Sequence, residues 1–271
     1  MLIVAGVIDI GRRKRLQQTQ EELVATVSHE LRTPMTSIAA SLGLLLAGHA
    51  ERLPPATAQL LQIAHDNCQR MVRMVNDILD LKKLDAGQVT FHFERCDIAE
   101  LLRKAVEANR GFADKSSVGI RLEAATAVEV QFDPDRFLQV VTNLLSNAIK
   151  FSPPGADVVV ALEPSGKDVR VTVRDYGPGI PDEFKPRVFE TFAQADNLSG
   201  RGRGGSGLGL SIARKLITRM HGKIGFADAP GGGTVFYVEL PGADPAARGQ
   251  DESATETGRE SGIGGKIARA G

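Results

Sequence analysis

Apolar positions divide the chain into two kinds of pattern. Within residues 12–87 they recur at helical spacing. Leu16, Leu23, Val27, Leu31, Met35, Ile38, Leu42 and Leu45 form one run, and Leu61, Ala64, Cys68, Met71, Val75 and Ile78 a second. Steps of three, four and seven place each run on one face of a helix. Gly48 and Pro54-Pro55 mark the turn between them, and Gly87 follows the second as a C-cap. A single antiparallel hairpin buries such stripes poorly, whereas two hairpins make a four-helix bundle. The pattern therefore predicts a homodimer.

Over residues 88–241 the period changes to two in Val118-Ile120-Leu122, Val158-Val160-Leu162, Val169-Val171-Val173 and Phe236-Val238-Leu240. Helical patterns near 97–113, 134–151 and 207–221 lie between these runs. The expectation is a layered α/β domain with its own core. Residues 242–271 hold only Ile263 and Ile267 as large aliphatics, too little apolar surface to offset chain entropy, so a disordered tail is predicted.

Composition narrows the partners. Lys plus Arg and Asp plus Glu each number 33, and Trp is absent. No net field draws the chain to nucleic acid or to an anionic membrane, and base-stacking platforms are scarce. Cys68 and Cys96 have no ligand-like spacing, which suits a reducing compartment. The opening MLIVAGVIDI is too short to span a bilayer, so no membrane segment is expected and the chain reads as cytoplasmic.

The first helix carries His29-Glu30-Leu31-Arg32-Thr33-Pro34. At helical pitch His29 points nearly opposite Val27 and Leu31, so its imidazole faces solvent. With an ordinary pKa of about 6.5, it keeps a neutral lone pair near pH 7. Glu30 can reach one ring nitrogen through its flexible stem and leave the other nucleophilic. Thr33 shares the face of His29. Pro34 removes the donor for the Glu30 carbonyl and is expected to bend the helix. A zinc-protease helix is excluded, because the second His of that motif is replaced by Thr33.

The helix from Asp135 to Phe151 has an apolar face of Phe137, Val140, Val141, Leu144, Leu145 and Ala148. Arg136, Asn143, Asn147 and Lys150 form a narrow polar stripe. A solvated face is the plain alternative for that stripe. Chemically, an amide oxygen suits a Mg²⁺ already ligated by triphosphate, and a lysine one turn on neutralises phosphate oxygens. Downstream come Asp175-Tyr176-Gly177-Pro178-Gly179-Ile180, then Phe189 and Phe192, a polar glycine-rich stretch over 193–205 with Arg201 and Arg203, and Gly205-Ser206-Gly207-Leu208-Gly209-Leu210 opening a helix. Glycines allow close backbone approach to a planar ligand, and a glycine-rich helix N-terminus offers donors to phosphate. No G-K-[ST] follows, so this is not a P-loop.

Taken in order, these segments resemble the H, N, G1, F and G2 boxes of sensor histidine kinases. The resemblance covers residues 27 to 240. It implies a dimerisation and phosphotransfer domain over 12–87, a helical hairpin forming a dimeric four-helix bundle. A GHKL-type α/β sandwich that binds ATP follows over 88–241. It implies that His29 is the phosphoacceptor, with Glu30 and Thr33 beside it in the catalytic set. It assigns Mg²⁺ to Asn147, phosphate contact to Lys150, and the adenine amino group to Asp175. Asn143, Phe151, Gly177, Gly179, Ile180, Phe189, Arg201, Arg203, Gly205, Ser206, Gly207, Leu208, Gly209 and Leu210 complete the implied ATP site. The implied partner is a response-regulator receiver domain on another chain, and in this family Thr33 would position water for phosphatase action on it. Residues 1–11 and the basic run after them resemble the last strand and exit linker of a PAS sensor domain, as in the cytoplasmic part of a larger sensor.

The ATP domain also resembles gyrase-type, mismatch-repair and chaperone ATPases. Those carry a glutamate at the first N-box position, where this chain has Asn143. An amide is no base, so phosphoryl transfer is expected over hydrolysis.

Overall fold

A computed structural model describes residues 31–48, 53–124, 128–165, 167–195 and 206–242. His29, Glu30, Arg201, Arg203 and Gly205 lie outside the described residues. So do the segment resembling a PAS strand and all but the first residue of the tail.

Helix α1 covers residues 31–48 of the described chain and α2 covers Pro55–Asp85. The turn differs from expectation: Gly48 is still helical, and Pro55 opens α2 at a position where its missing N–H costs no bond. The helices run antiparallel. Arg32 Nε donates to Asn76 Oδ1 at 2.8 Å near one end. Further along, Gly43 lets the His65 ring approach, since a Cβ there would lie 3.5 Å from Nε2. The α2 C-terminus closes as a Schellman turn: Gly87 sits at φ 68° and Gln88 N–H donates to the Lys83 carbonyl at 2.9 Å.

The second unit pairs β1 (Glu94–Asp97) with β3 (Glu129–Phe132) as a small antiparallel ribbon. A five-stranded sheet has the order β2 (Gly119–Glu123), β4 (Asp157–Ser165), β5 (Asp168–Arg174), β7 (Thr234–Leu240), β6 (Lys223–Asp228). Only β2 and β4 are parallel, because α4 intervenes between them in the chain. Helices α3 (Ile98–Lys115), α4 (Pro134–Phe151) and α5 (Gly209–Arg219) pack beside one another and against the sheet. Asp97 and Asp133 cap α3 and α4 by accepting from Ala99 N and Arg136 N.

All four period-two runs fall on strands, with Val118 one residue ahead of β2, and the helical patterns fall on α3, α4 and α5. Strands β1, β3 and β6 were not legible as period-two runs. The helical pattern near 207–221 runs two residues beyond α5 at each end, because Gly207 and His221 take left-handed backbone conformations outside the helix. The core joins the helices to Val158, Val160, Val171, Val173 and Val238 of the sheet, and it also takes in Leu81 and Leu84 of α2. The hairpin thus ends inside the core of the α/β unit. Among the described residues no helix is long and apolar enough to cross a membrane.

Candidate functional site

The polar stripe of α4 faces a cavity of about 980 Å³. Phe137, Val140, Val141, Leu144, Leu145 and Ala148 anchor the opposite face of the helix in the core, so Asn143, Asn147 and Lys150 are left to line the cavity. Asn143 Nδ2 donates to the Gly209 carbonyl at 3.2 Å, tying α4 to the first residue of α5. The Lys150 ammonium lies 4.6 Å from the Phe151 ring centroid. Its pKa is lowered, first by burial and then by the nearby Arg70 guanidinium.

Asp175, just beyond the end of β5, is buried and lines the same cavity. Its Oδ1 accepts from Gly177 N at 2.9 Å and from Thr234 N at 3.0 Å. Burial raises the carboxyl above its ordinary value, and these backbone donors pull it back. The result is an oriented acidic acceptor at a cavity wall. Gly177 is required here by space, for a Cβ would lie 2.8 Å from the Phe151 carbonyl oxygen.

The glycine-rich turn before α5 brings Ser206, Gly207, Gly209 and Leu210 to the cavity. Gly207 sits at φ 70°, and a Cβ on it would fall 2.8 Å from the backbone of Phe192. Leu208 and Phe189, both expected in the site, do not line the cavity. Leu208 is fully buried in the core, and Phe189 packs on Phe226 with ring centroids 6.1 Å apart. Gly177 is also absent from the lining; it acts by holding Asp175. Phe151, Gly179 and Ile180 are on the wall as expected, and Thr33 is exposed on α1, away from the lining.

Three contributions escaped the sequence pattern. Thr234 fixes Asp175 through its backbone, and a Cβ on neighbouring Gly233 would strike the Asp175 carbonyl, so the G-G-T that leads into β7 belongs to the site. Ser152 Oγ accepts from Tyr176 N at 3.2 Å. Most unexpectedly, α2 forms part of the wall through Asp66, Arg70, Arg73, Met74 and Asp77. The signal for these was present as a face of α2 at spacings of four, three, one and three, but it reads as ordinary solvated charge. Among the described residues no cluster of three His, Cys, Asp or Glu side chains could hold a metal. The neutral Asn147 amide fits a divalent cation that keeps most of its ligands from phosphate and water.

Comparison with known proteins agrees with this geometry. Residues 132–244 match the model of the histidine kinase-, DNA gyrase B- and HSP90-like ATPase family, and residues 19–87 match the His Kinase A phospho-acceptor domain. The chain is 34% identical to the sensor histidine kinase TmoS of Ectopseudomonas mendocina over 86% of this chain and 24% of that one. It is 32% identical to the sensor histidine kinase WalK of Bacillus subtilis over 88% of this chain and 39% of that one. The chain therefore spans well under two thirds of these relatives. Among solved structures, full-length ShkA in complex with AMPPNP superimposes with a TM-score of 0.65 at 29% identity, covering 82% of this chain and 46% of that one. The catalytic domain of histidine kinase ThkA gives 0.50 at 30% identity, covering 56% and 96%.

Proposed function

This chain belongs to the sensor histidine kinases of two-component signalling, and we propose that it moves the γ-phosphoryl group of MgATP to His29 and then to an aspartate of a response-regulator receiver domain on another chain. The observation that carries this reading is the α4 wall, which offers the cavity two amides and an ammonium but no base. The acids nearest the glycine turns are already engaged, Asp175 by backbone donors and Asp77 by the Ser206 hydroxyl. Bound ATP is therefore held without being given to water, and an external imidazole becomes the productive nucleophile.

In this scheme Asp175 accepts the adenine amino group, and the turn at Ser206–Leu210 and Lys150 meet the phosphates. Asn147 would hold Mg²⁺, which supplies neutralisation of phosphate charge. A ring nitrogen of His29 forms the N–P bond as the bond from phosphorus to the bridging oxygen breaks and ADP leaves. Glu30 holds the proton on the other nitrogen. Exposed Leu31, Ile38 and Leu45 recur every seven residues on α1, and pairing with a second copy would cover them. Thr33, exposed one turn beyond His29, would position water for a phosphatase role. We assign the chain to the cytoplasm, as part of a larger sensor.

The test is incubation with γ-labelled ATP and Mg²⁺. Acid-labile, alkali-stable label that is absent from His29→Gln supports the kinase. A protein that binds nucleotide but never takes label is a scaffold, and the reading fails.

A further inference from the structure

Asp175 is aimed by two backbone donors that come from separate segments. Gly177 N–H lies just along its own chain, and Thr234 N–H opens β7. Asp175 N also donates to the Thr234 carbonyl at 2.9 Å, so β5 and β7 stay tied up to the carboxylate. The turn that delivers Thr234 has few side chains to hold it. Gly231, Gly232 and Gly233 all take positive φ, and a Cβ on Gly231 or Gly232 would meet nothing within 4 Å. Internal bonds close the turn, from Ala229 N to the Gly233 carbonyl at 3.1 Å and from Gly232 N to the Ala229 carbonyl at 3.0 Å. Neither of these anchors it to β5.

Arg174 supplies such an anchor. It ends β5, one residue before Asp175, and strand alternation sends its side chain to the face of the sheet opposite core residue Val173. It stands in register with Val159 of β4 and Val235 of β7. From there Nη2 donates to the Pro230 carbonyl at 2.7 Å, and the guanidinium carbon lies 4.8 Å from the centroid of the Tyr176 ring. Tyr176 is held through its backbone as well, since its N–H donates to Ser152 Oγ at 3.2 Å. One side chain therefore grips both segments that lead to the donors of Asp175. These are the strand exit at Tyr176, next to Gly177, and the turn at Pro230, ahead of Thr234. A planar guanidinium can stack and donate at once, whereas an ammonium brings the charge without the plane.

We propose that Arg174 is a positioning residue for recognition of the adenine ring. By clamping the turn after β6 to Tyr176 on the outer side of the sheet, it fixes the two N–H groups that aim the Asp175 carboxylate. It thereby sets how strictly the site demands an exocyclic amine. Arg174 does not itself line the cavity. The inference rests on the reading of Asp175 as the acceptor of the adenine amino group.

The test compares binding of AMP and of purine riboside monophosphate, which lacks the amino group, by calorimetry on the full chain. The parent should prefer AMP roughly tenfold, the scale of one buried acceptor left unpaired. Arg174→Met keeps an apolar stem beside Val159 and Val235 but removes the clamp. It should narrow the preference to about threefold by weakening AMP, with the analogue unchanged. Arg174→Lys should recover part of the preference through the Pro230 carbonyl. Tyr176→Leu, which removes the stacked ring and leaves Arg174 in place, should narrow it in the same direction. Each variant is titrated at a temperature where a thermal melt shows it folded. A merely structural role would weaken both nucleotides together, so equal loss overturns the inference, as does a preference that keeps the parent's value. If the parent itself shows no preference for AMP, the assignment of Asp175 fails first and takes the inference with it.

Discussion

The Ser206 hydroxyl donates to Asp77 Oδ2 at 3.1 Å, joining the glycine-rich turn before α5 to the hairpin helix α2. The same oxygen accepts from Leu208 N at 3.2 Å, so one serine holds both its own turn and the neighbouring unit. Burial raises the Asp77 carboxyl, partly offset by the serine bond. Asp77→Asn keeps an acceptor for Ser206 while removing a negative charge from a wall assigned to phosphate. The variant should bind Mg·AMPPNP roughly threefold more tightly, in line with a partly screened charge, with hydrogen exchange at Leu208 unchanged. Asp77→Ala should instead raise exchange there.

Asp175 sets affinity against stability. Its folded-state pKa is raised, chiefly by burial, so the folded chain holds that proton more tightly than the unfolded chain does. The contribution is therefore fully present below the ordinary value of 3.8 and is lost as pH rises through the raised value. Asp175→Asn can still accept from Gly177 and Thr234, and it removes this loss. Its unliganded melting temperature should match or exceed the parent's near neutral pH, with the gap closing toward pH about 4. AMP affinity should fall at least roughly tenfold, since the amide offers a donor where the adenine amine needs an acceptor. A variant that binds AMP normally would remove Asp175 from the adenine site.

Gly207→Ala meets two obstacles at once: φ 70°, and a contact of 2.8 Å from the new Cβ to Phe192 backbone. Left-handed backbone for a non-glycine residue costs about 1–3 kcal/mol. Because the strain sits in the turn that meets phosphate, the loss should appear as weaker triphosphate binding with a melting temperature lowered by only a few degrees. Titration beside a thermal melt separates the two effects.

The α/β unit was legible because its elements are amphipathic. The apolar face of α4, the alternation of β5 and the glycine turn before α5 each announce their role locally. Strands β1, β3 and β6 did not announce theirs. β1 and β3 hold four residues each, and Glu94-Arg95-Cys96-Asp97 carries no alternating apolar run. Within the site, residues with a chemical signature (Asn143, Asn147, Lys150, Asp175) reach the cavity. Leu208 and Phe189 belong to their motif, whereas packing buries Leu208 in the core and sets half-buried Phe189 against Phe226 at the core's edge. Arg70 was missed for the opposite reason, since a charged residue on a polar helix face has no local feature that distinguishes a docked surface from a wet one.

The α1 stripe makes a dimer prediction. Leu31 and Ile38 are each 47% exposed and Leu45 is 46% exposed in a single chain, a burial deficit that self-association would correct. Ile38→Asp places a charge in that seam. It should shift the chain to monomer by light scattering and leave AMP binding intact, because the cavity lies elsewhere. A variant that stays dimeric would show that the seam is not the contact.

Leu84 is the sharpest test of whether the hairpin is part of the site or merely beside it. It is 6% exposed and belongs to the core shared with α3, α4 and α5, and it lies within the Schellman turn that ends α2, where its carbonyl accepts from Gly87 N–H. Truncation to Ala should cost about 2–4 kcal/mol through lost burial and a residual cavity. It also loosens the segment that carries Asp80 to Gln139 and Asp85 to Lys215. Leu79, 8% exposed but outside that cluster, is the matched control. If the seating of α2 builds the phosphate end of the cavity, Leu84→Ala should lower both the melting temperature and AMPPNP affinity at a temperature where it remains folded. Leu79→Ala should lower the melting temperature alone. Equal AMPPNP affinity in the two variants would mean that the α2 wall contributes nothing to holding phosphate.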